Sequence, residues 1–389
     1  MKKKVFLITA CKILPKDAGE KIISWGLLNK LSTTADTIFI NIYTESRYDE
    51  KQIALIRQSC KLFFTFQEKY YPNIISLLKS FLNAEAFMFA RRRNSKLISQ
   101  EILKLIELYS PDIIIWDHLR TASYLAHNNS FNILVEHNYE AGIYAEKINL
   151  YPLFIKKILQ FQVKFTDIFN KKINNLMQRI VYLSKADSLF YNLEKGVVWE
   201  FRNVTSRQRE HQVDKKNTYN LLFVGSLEWY PNIDGISWFI DNVYPNLPEK
   251  FQLIVVGKNP TQALKNKIAD NCRIKSFYNV PSVESFYLEA DIFISPVRLG
   301  LGVNMKIIEA ASYGIPMVVT SHSLKGYDSL DFLNPVDSIG DFTDEILKYS
   351  NTELRTSQSL ELKSWYNFYQ QEADLTFNSL FNLNDGSNE

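Results

Sequence analysis

The chain has 389 residues with 45 Lys and Arg against 42 Asp and Glu, a formal net charge of +3. That length suits two domains, each with its own core and no need of disulfides or metal. The near-neutral balance, with no arginine-rich tract interleaved with stacking aromatics, argues against a nucleic-acid partner. Cysteines stand at 11, 60 and 272 without pairing or metal-ligand spacing, which makes a reducing cytoplasm the expectation. MKKKVFLITACK starts basic, but its apolar run is short and a lysine follows, so it reads as a first strand and not a signal peptide. No stretch approaches the roughly 20 apolar residues that span a bilayer.

The first half alternates apolar strands (KVFLITA, DTIFINIY, DIIIWDH, NILVEHN) with helical stretches at 18–31, 74–80 and 96–109. This alternation predicts a parallel sheet covered on both faces. Arg91, Arg92 and Arg93 read as a solvated face or an anion contact. Between 141 and 180, Lys147, Lys156, Lys157, Lys164, Lys171, Lys172 and Arg179 outnumber Glu146 and Asp167, and are interleaved with Tyr151, Phe154, Phe161, Phe165 and Phe169. The segment reads either as an amphipathic helix with solvated lysines or as a surface for an anionic membrane. RIVYLSKAD is a further strand and turn. The polar stretch 203–220 then reads as a linker or domain edge.

A second βα series begins at Tyr219: NLLFVG a strand, SLEWYPNID a loop, GISWFIDNVYPNL a helix, FQLIVVG a strand, TQALKNKIAD a helix, then RIKSF and SVESFYLEA. DIFISPV-RLGLGVN-MKIIEAASYG-IPMVVT follows as strand, glycine loop, helix and strand, with Gly314 as C-cap and Pro316 forcing the exit. Gly300 and Gly302 allow close backbone approach, and the helix beginning near Asn304 offers unpaired N–H groups to a phosphate. Glu309 is a lone acid among apolar neighbours, suited to accepting a pair of hydroxyls. The aromatic tail from 352 to 382 reads as a helix packing back across the domain interface.

VGSLEWYPNIDGISWF, IVVG, ADIFISPVRLGLGVNMKIIEAASYGIPMVVT and the upstream VEHNYEAGIY together resemble glycosyltransferase family 4, retaining enzymes of the GT-B fold. The resemblance is densest over 219–327; IVYLSKAD and PKDAGEKI extend it thinly into the first half. It implies an α/β chain of two Rossmann-like domains facing across a cleft. The acceptor-side domain would span 1–202, a linker 203–218, the donor-side domain 219–355, and a helix returning to the first domain 356–389. It further implies that Glu309 binds the donor ribose and that the loop Gly300, Leu301, Gly302, Val303 and Asn304 holds the diphosphate or donor sugar. Gly225 would let a strand end approach the phosphate, and His137 would sit at the donor sugar. The acceptor would lie near the loop 17–20, which contains Gly19.

Two departures from the family pattern stand out. The first acid of the usual pair is absent, with Leu301 in its place. The usual Arg and Lys after NLLFVG are replaced by Ser226 and Asn232, leaving Arg298 and Lys306 as the nearest cations for the diphosphate. No Asp-x-Asp pair or His/Cys cluster points to a metal, and no cofactor beyond a UDP- or GDP-linked sugar is implied. Of the histidines, His137 follows a strand at its carboxyl end, where α/β sites lie; His118, His127, His211 and His322 read as structural. Glu136, Glu140 and Asp117 flank His137 as candidates for an acceptor base or a sugar-hydroxyl ligand. Trp229 and Tyr230 read as cleft platforms or local packing, and Asn279 as a base-pocket or turn residue. The resulting expectation is a metal-independent, retaining hexosyltransferase that builds surface polysaccharide or glycoconjugate on a glycan, lipid-linked or protein acceptor. It would be cytoplasmic, at the inner membrane face. A catalytically inactive GT-B scaffold and a nucleotide-sugar epimerase are the alternatives.

Overall fold

A computed structural model describes the chain except residues 1, 16–17, 149–150, 184–187, 189–195, 200–217, 301–302, 328 and 382–389, and the side chains of 143, 146, 147, 154, 378 and 381. The chain divides into two compact units, Met1–Asn203 and Val204–Glu389. The expected linker at 203–218 lies, apart from its last residue, outside the described residues.

The first unit runs β1 (Lys4–Thr9), α1 (Gly19–Thr34), β2 (Asp36–Tyr43), α2 (Glu50–Gln58), β3 (Leu62–Gln67), α3 (Asn73–Leu82), α4 (Phe87–Ala90), α5 (Ser95–Tyr109), β4 (Ile113–Asp117), α6 (Leu119–Ala122), β5 (Phe131–Glu136), α7 (Glu140–Lys147), α8 (Leu153–Leu176), β6 (Arg179–Tyr182) and β7 (Gly196–Val198). Its strands form one parallel sheet in the order β3-β2-β1-β4-β5-β6-β7. The central strands are continuous apolar runs, buried on both faces as a helix-covered parallel sheet requires. Two elements at one edge, α2 and β3, are absent from the sequence reading. The helix is started by a capping box between Asp49 and Gln52. The strand LFFTFQ pairs with β2 on one side only and is partly exposed, which explains its weak signal.

The second unit runs β8 (Tyr219–Ser226), α9 (Tyr230–Trp238), β9 (Phe251–Lys258), α10 (Gln262–Ala269), β10 (Ile274–Tyr278), α11 (Glu284–Glu289), β11 (Ile292–Ser295), α12 (Met305–Ser312), β12 (Met317–Val319), α13 (Ile339–Lys348) and α14 (Thr352–Phe381). All five strands are parallel, in the order β10-β9-β8-β11-β12. Alternate residues of β8 and β9 serve opposite faces. Leu221, Phe223, Leu253 and Val255 join one core, while Leu222, Val224, Ile254 and Val256 join the other. Leu362, Trp365, Tyr366 and Tyr369 of α14 pack into that second core beside Ile307, Ile308 and Ala311 of α12. Gly314 takes φ +62° after α12, the left-handed C-cap that the glycine signalled.

Helix α9 begins at Tyr230, inside the stretch read as a loop, with Pro231 in its first turn. Its α-helical part ends at Trp238. A π turn over Phe239–Val243 and a short 3-10 turn over Tyr244–Asn246 complete the stretch read as one helix. Asn232 therefore stands on a helical first turn.

Candidate active site

Each sheet changes direction between its first strand and the neighbour on the other side, and in open α/β sheets ligands bind beyond the strand ends at that point. In the second unit the switch lies between β8 and β11. Gly225 and Gly257 are register partners at the ends of β8 and β9. A Cβ on Gly257 would stand 2.1 Å from the Gly225 carbonyl oxygen, and one on Gly225 would stand 3.0 Å from Lys306 Nζ and 2.9 Å from Asn232 Nδ2. These glycines leave room for a side-chain cation against the strand end.

That cation is Lys306, in the first turn of α12. Its Nζ donates to Asn232 Oδ1 at 2.6 Å, and Asn232 Nδ2 donates to the Ser226 carbonyl at 2.9 Å. Lys306 also lies 4.5 Å from the ring centroid of Phe223. Burial pushes its ammonium down to about 7, against the opposing pull of Glu309. Glu309, one helical turn on, accepts from Tyr287 Oη at 2.8 Å. Burial raises its carboxyl above the usual range, while Tyr287 and Lys306 restrain the rise. Tyr287 is fixed in turn by stacking on Tyr313, with ring centroids 5.0 Å apart.

Gly300 adopts φ +105°, a conformation L side chains rarely take, and a Cβ there would meet Pro231 at 2.8 Å. Its carbonyl lies 2.8 Å from His322 Nε2. Leu301 and Gly302 lie outside the described residues. Val303 packs against the second core, and Asn304 caps α12 without a side-chain bond, its carbonyl accepting from Tyr327 Oη at 3.0 Å.

Arg298 points elsewhere. It forms a forked pair with Asp234 on α9, Nε to Oδ2 at 3.1 Å and Nη2 to Oδ1 at 2.9 Å, and lies 5.2 Å from the ring centroid of Trp238. Asn279 takes φ +54° and accepts from the Asn259 N–H, the backbone role of a turn asparagine.

In the first unit the switch lies between β1 and β4, and a dense polar cluster fills it. Asp117, the last residue of β4, is fully buried; one carboxylate oxygen meets His137 Nε2 at 2.5 Å and the other accepts from Ser24 Oγ of α1. Burial alone would raise the Asp117 carboxyl, but His137, His118 and Ser24 hold it below its ordinary value. An ionised Asp117 assigns the proton to His137 Nε2, which makes Nδ1 the acceptor of the neutral ring. His137 Nδ1 is buried and has no hydrogen-bond partner among the described residues.

The rings of His118 and His137 stack, centroids 3.7 Å apart. His118 takes φ +82° at the turn out of β4, held by its N–H to the Val135 carbonyl at 2.9 Å. Burial, His137 and Arg120 push its imidazole down to about 4, so it is neutral at physiological pH. Glu20, in the first turn of α1 beside Gly19, approaches Arg120 Nη2 at 2.6 Å and His118 Nε2 at 3.3 Å. Against burial, His118 and Arg120 keep the Glu20 carboxyl well below its usual range.

Residues 218–351 match the model of the glycosyl transferases group 1. The match lies within the second unit. Along 84% of this chain and 84% of its own length, a Klebsiella pneumoniae protein described as an uncharacterized 44.6 kDa protein in the cps region is 24% identical. Among solved structures, a mutant of S. aureus TarM in complex with fondaparinux, alpha-GlcNAc-glycerol and UDP superposes with TM-score 0.69 at 13% identity, covering 98% of this chain and 100% of TarM. Anabaena HepE in complex with UDP and glucose gives 0.64 at 12% identity over 98% and 100%. The two parallel-sheet units have the GT-B fold.

Within the second unit, the structure brings Gly225, Ser226, Asn232 and Lys306 to one strand-end cluster, with Glu309 a turn away on the helix that carries Lys306. It sets Arg298 apart, against Asp234. In the first unit it brings Asp117 and His137 together, with Gly19 opening the helix that carries Glu20 and Ser24. Sequence reasoning missed His118, Arg120 and Tyr287 as members of these clusters, and had Glu20 only as the end of the acceptor-side loop 17–20. For His118 and Arg120 the signal was present: both directly follow the strand DIIIWD, at the end where sites form. Tyr287 carried no local signal, since only the fold brings α11 beside α12.

Proposed function

We propose that the protein is a retaining glycosyltransferase that moves a sugar from a nucleoside-diphosphate sugar, UDP- or GDP-linked, to a glycan, lipid-linked or protein acceptor in surface polysaccharide or glycoconjugate synthesis. The observation that carries the reading is Lys306, a buried cation held by Asn232 against the glycine end of β8. A solitary ammonium in such a place is unfavourable unless an anion completes it. A diphosphate arriving at the amino-terminal end of α12 supplies that anion. Glu309 on the same helix accepts the ribose hydroxyls.

In this reading the diphosphate departs as the C1–oxygen bond breaks, the acceptor oxygen bonds C1 from the same face, and the acceptor proton passes to the leaving phosphate. Lys306 and the helix-start amides stabilise the growing phosphate charge without a metal. His137 Nδ1 accepts from a sugar hydroxyl, and Asp117 fixes the ring that does so. The cps location of the Klebsiella relative and the UDP held by TarM and HepE support the donor and pathway class. The three free cysteines accord with a cytoplasmic site of action.

The test is hydrolysis of a panel of nucleotide sugars by the purified chain, beside Glu309→Ala and His137→Ala. Slow release of sugar, lost in both variants, is expected. Absence of both turnover and nucleotide binding would sink the proposal; binding without turnover would favour a scaffold, and release of an epimerised sugar would favour an epimerase.

A further inference from the structure

Helix α3 is amphipathic the wrong way round. Ser76 and Ser80 are buried, whereas Ile74, Ile75, Leu78, Phe81 and Leu82 face outward, with Ile74 76% and Leu82 83% exposed. The spacing 74, 75, 78, 81, 82 is one continuous helical stripe. Its polar face is fastened inward. Ser76 Oγ donates within the preceding turn to the Pro72 carbonyl at 2.9 Å, Ser80 Oγ donates to the Glu85 carbonyl at 2.6 Å, and Gln162 Nε2 of α8 donates to Ser80 Oγ at 2.9 Å. A monomeric soluble surface has no reason to bury serines and expose a five-residue apolar stripe.

The neighbouring helix continues the pattern. Phe81 meets Phe161 of α8 edge-on at 5.5 Å, and the outer stripe of α8 alternates Leu153, Phe161 and Ile168 with Lys157, Lys164 and Lys172, all exposed. Helix α8 carries five lysines against a single acid, Asp167, which already pairs with Lys171 at 2.8 Å. At the other border, Arg91 lies over the ring of Tyr70 at 3.7 Å and Lys79 over Tyr71 at 4.1 Å. An apolar stripe edged by lysine and arginine matches an anionic bilayer surface, acyl boundary under the stripe and phosphate headgroups at its rim.

We infer that α3 inserts its apolar face into the headgroup region of an anionic membrane while the α8 lysines hold the adjacent lipid phosphates. The basic segment 141–180 suggested a membrane surface by itself; the fold makes it the electrostatic border and α3 the inserting element. The inference stands on the first unit's surface and does not rest on the transferase reading. No helix among the described residues is long and apolar enough to cross a membrane, so the contact is interfacial.

The experiment is co-sedimentation of the full chain with vesicles of phosphatidylcholine plus phosphatidylglycerol, and with phosphatidylcholine alone. The chain is expected to pellet with the anionic vesicles. A triple variant, Ile74→Ser with Leu78→Ser and Leu82→Ser, should bind about tenfold or more weakly. Its melting temperature should be unchanged, because the replaced side chains are exposed. Lys157→Glu with Lys164→Glu should weaken binding chiefly at low ionic strength. Leu78→Trp should show a blue-shifted emission with anionic vesicles only. The inference is overturned if the chain does not pellet with anionic vesicles, if the triple variant binds as well as the parent, or if that variant merely converts a dimer to a monomer, which would assign the stripe to a second copy.

Discussion

The two strand-end clusters occupy equivalent places in their sheets and are built on opposite electrostatic plans. The first unit's cluster is nearly self-sufficient: Asp117 and Glu20 are each held ionised by a hydrogen-bonded neighbour, His118 is neutral under His137, and among the described residues two buried atoms, the acceptor His137 Nδ1 and the donor Arg120 Nε, are left over. The second unit's cluster is deficient. Among the described residues it has a buried ammonium with only an amide oxygen at hydrogen-bond distance, and an acid whose proton affinity burial has raised. A saturated network fixes geometry, whereas a site short of one anion is prepared for an anionic ligand.

The largest effects are expected where this contrast is removed from either side. Lys306→Ala should lower kcat by roughly 10²-fold or more and weaken nucleotide binding, since it deletes the cation at the developing phosphate charge. Lys306→Met should do the same to activity yet leave the melting temperature equal or higher, because a poorly paired buried charge is replaced by an apolar chain of similar volume. Asp117→Asn should also cut turnover, by about 10²-fold, through loss of the histidine tautomer, but with nucleotide affinity intact. Its stability should fall by roughly 1.5–3 kcal/mol, as expected when buried hydrogen bonds to a charged group are weakened. Titration calorimetry with UDP and GDP, beside thermal melts, separates the two. Matching stability losses in Lys306→Met and Asp117→Asn would erase the distinction.

A smaller effect sharpens it. With its ordinary value near 10.5 pushed down to about 7, the Lys306 ammonium loses its proton in the free protein as pH rises past neutrality. A bound diphosphate favours the charged form, so above pH 7 binding takes up a proton and affinity falls, by up to about tenfold per pH unit. Below pH 7 the lysine is already charged and affinity should be flat. For the stability of the free protein the sign is opposite: the unfolded lysine keeps its proton between about 7 and 10.5 while the folded one does not, so stability rises across that window as the buried charge is relieved. Proton uptake measured in buffers of different ionisation enthalpy, and its disappearance in Lys306→Met, checks the assignment.

How far these sites were legible in the chain divides along the same line. Continuous apolar runs announced the central strands, and Gly225, Gly300, Gly314 and Glu309 marked their positions because a glycine at a strand end or a lone acid in an apolar helix is conspicuous locally. Asn232 was read as a loop residue that had lost the family's cation, yet the fold sets it on the first turn of α9, where it holds a cation from another helix. That exchange joins residues 74 positions apart and leaves no trace in any window of sequence. The stacking of His118 on His137 is hidden for the same reason: each lies at the end of a different strand, and only the β4–β5 pairing brings them face to face.

Arg298 should give the smallest effect, and its smallness is informative. From the sequence it stood level with Lys306 as the cation flanking the glycine loop. In the fold its guanidinium is already engaged in two-pronged contact with Asp234 and is 40% exposed. An exposed pair of this kind is worth at most about 1 kcal/mol, so Arg298→Ala should move the melting temperature little. Recruiting Arg298 to a phosphate would require it to leave Asp234, so its deletion should change kcat and nucleotide affinity less than about threefold, against the roughly 10²-fold expected at Lys306. Asp234→Ala supplies the complementary measurement. If freeing the guanidinium leaves nucleotide affinity unchanged, the division of labour holds; a loss at Arg298→Ala comparable to that at Lys306→Ala would give the phosphate two cations and make the second cluster far less anion-deficient than its geometry implies.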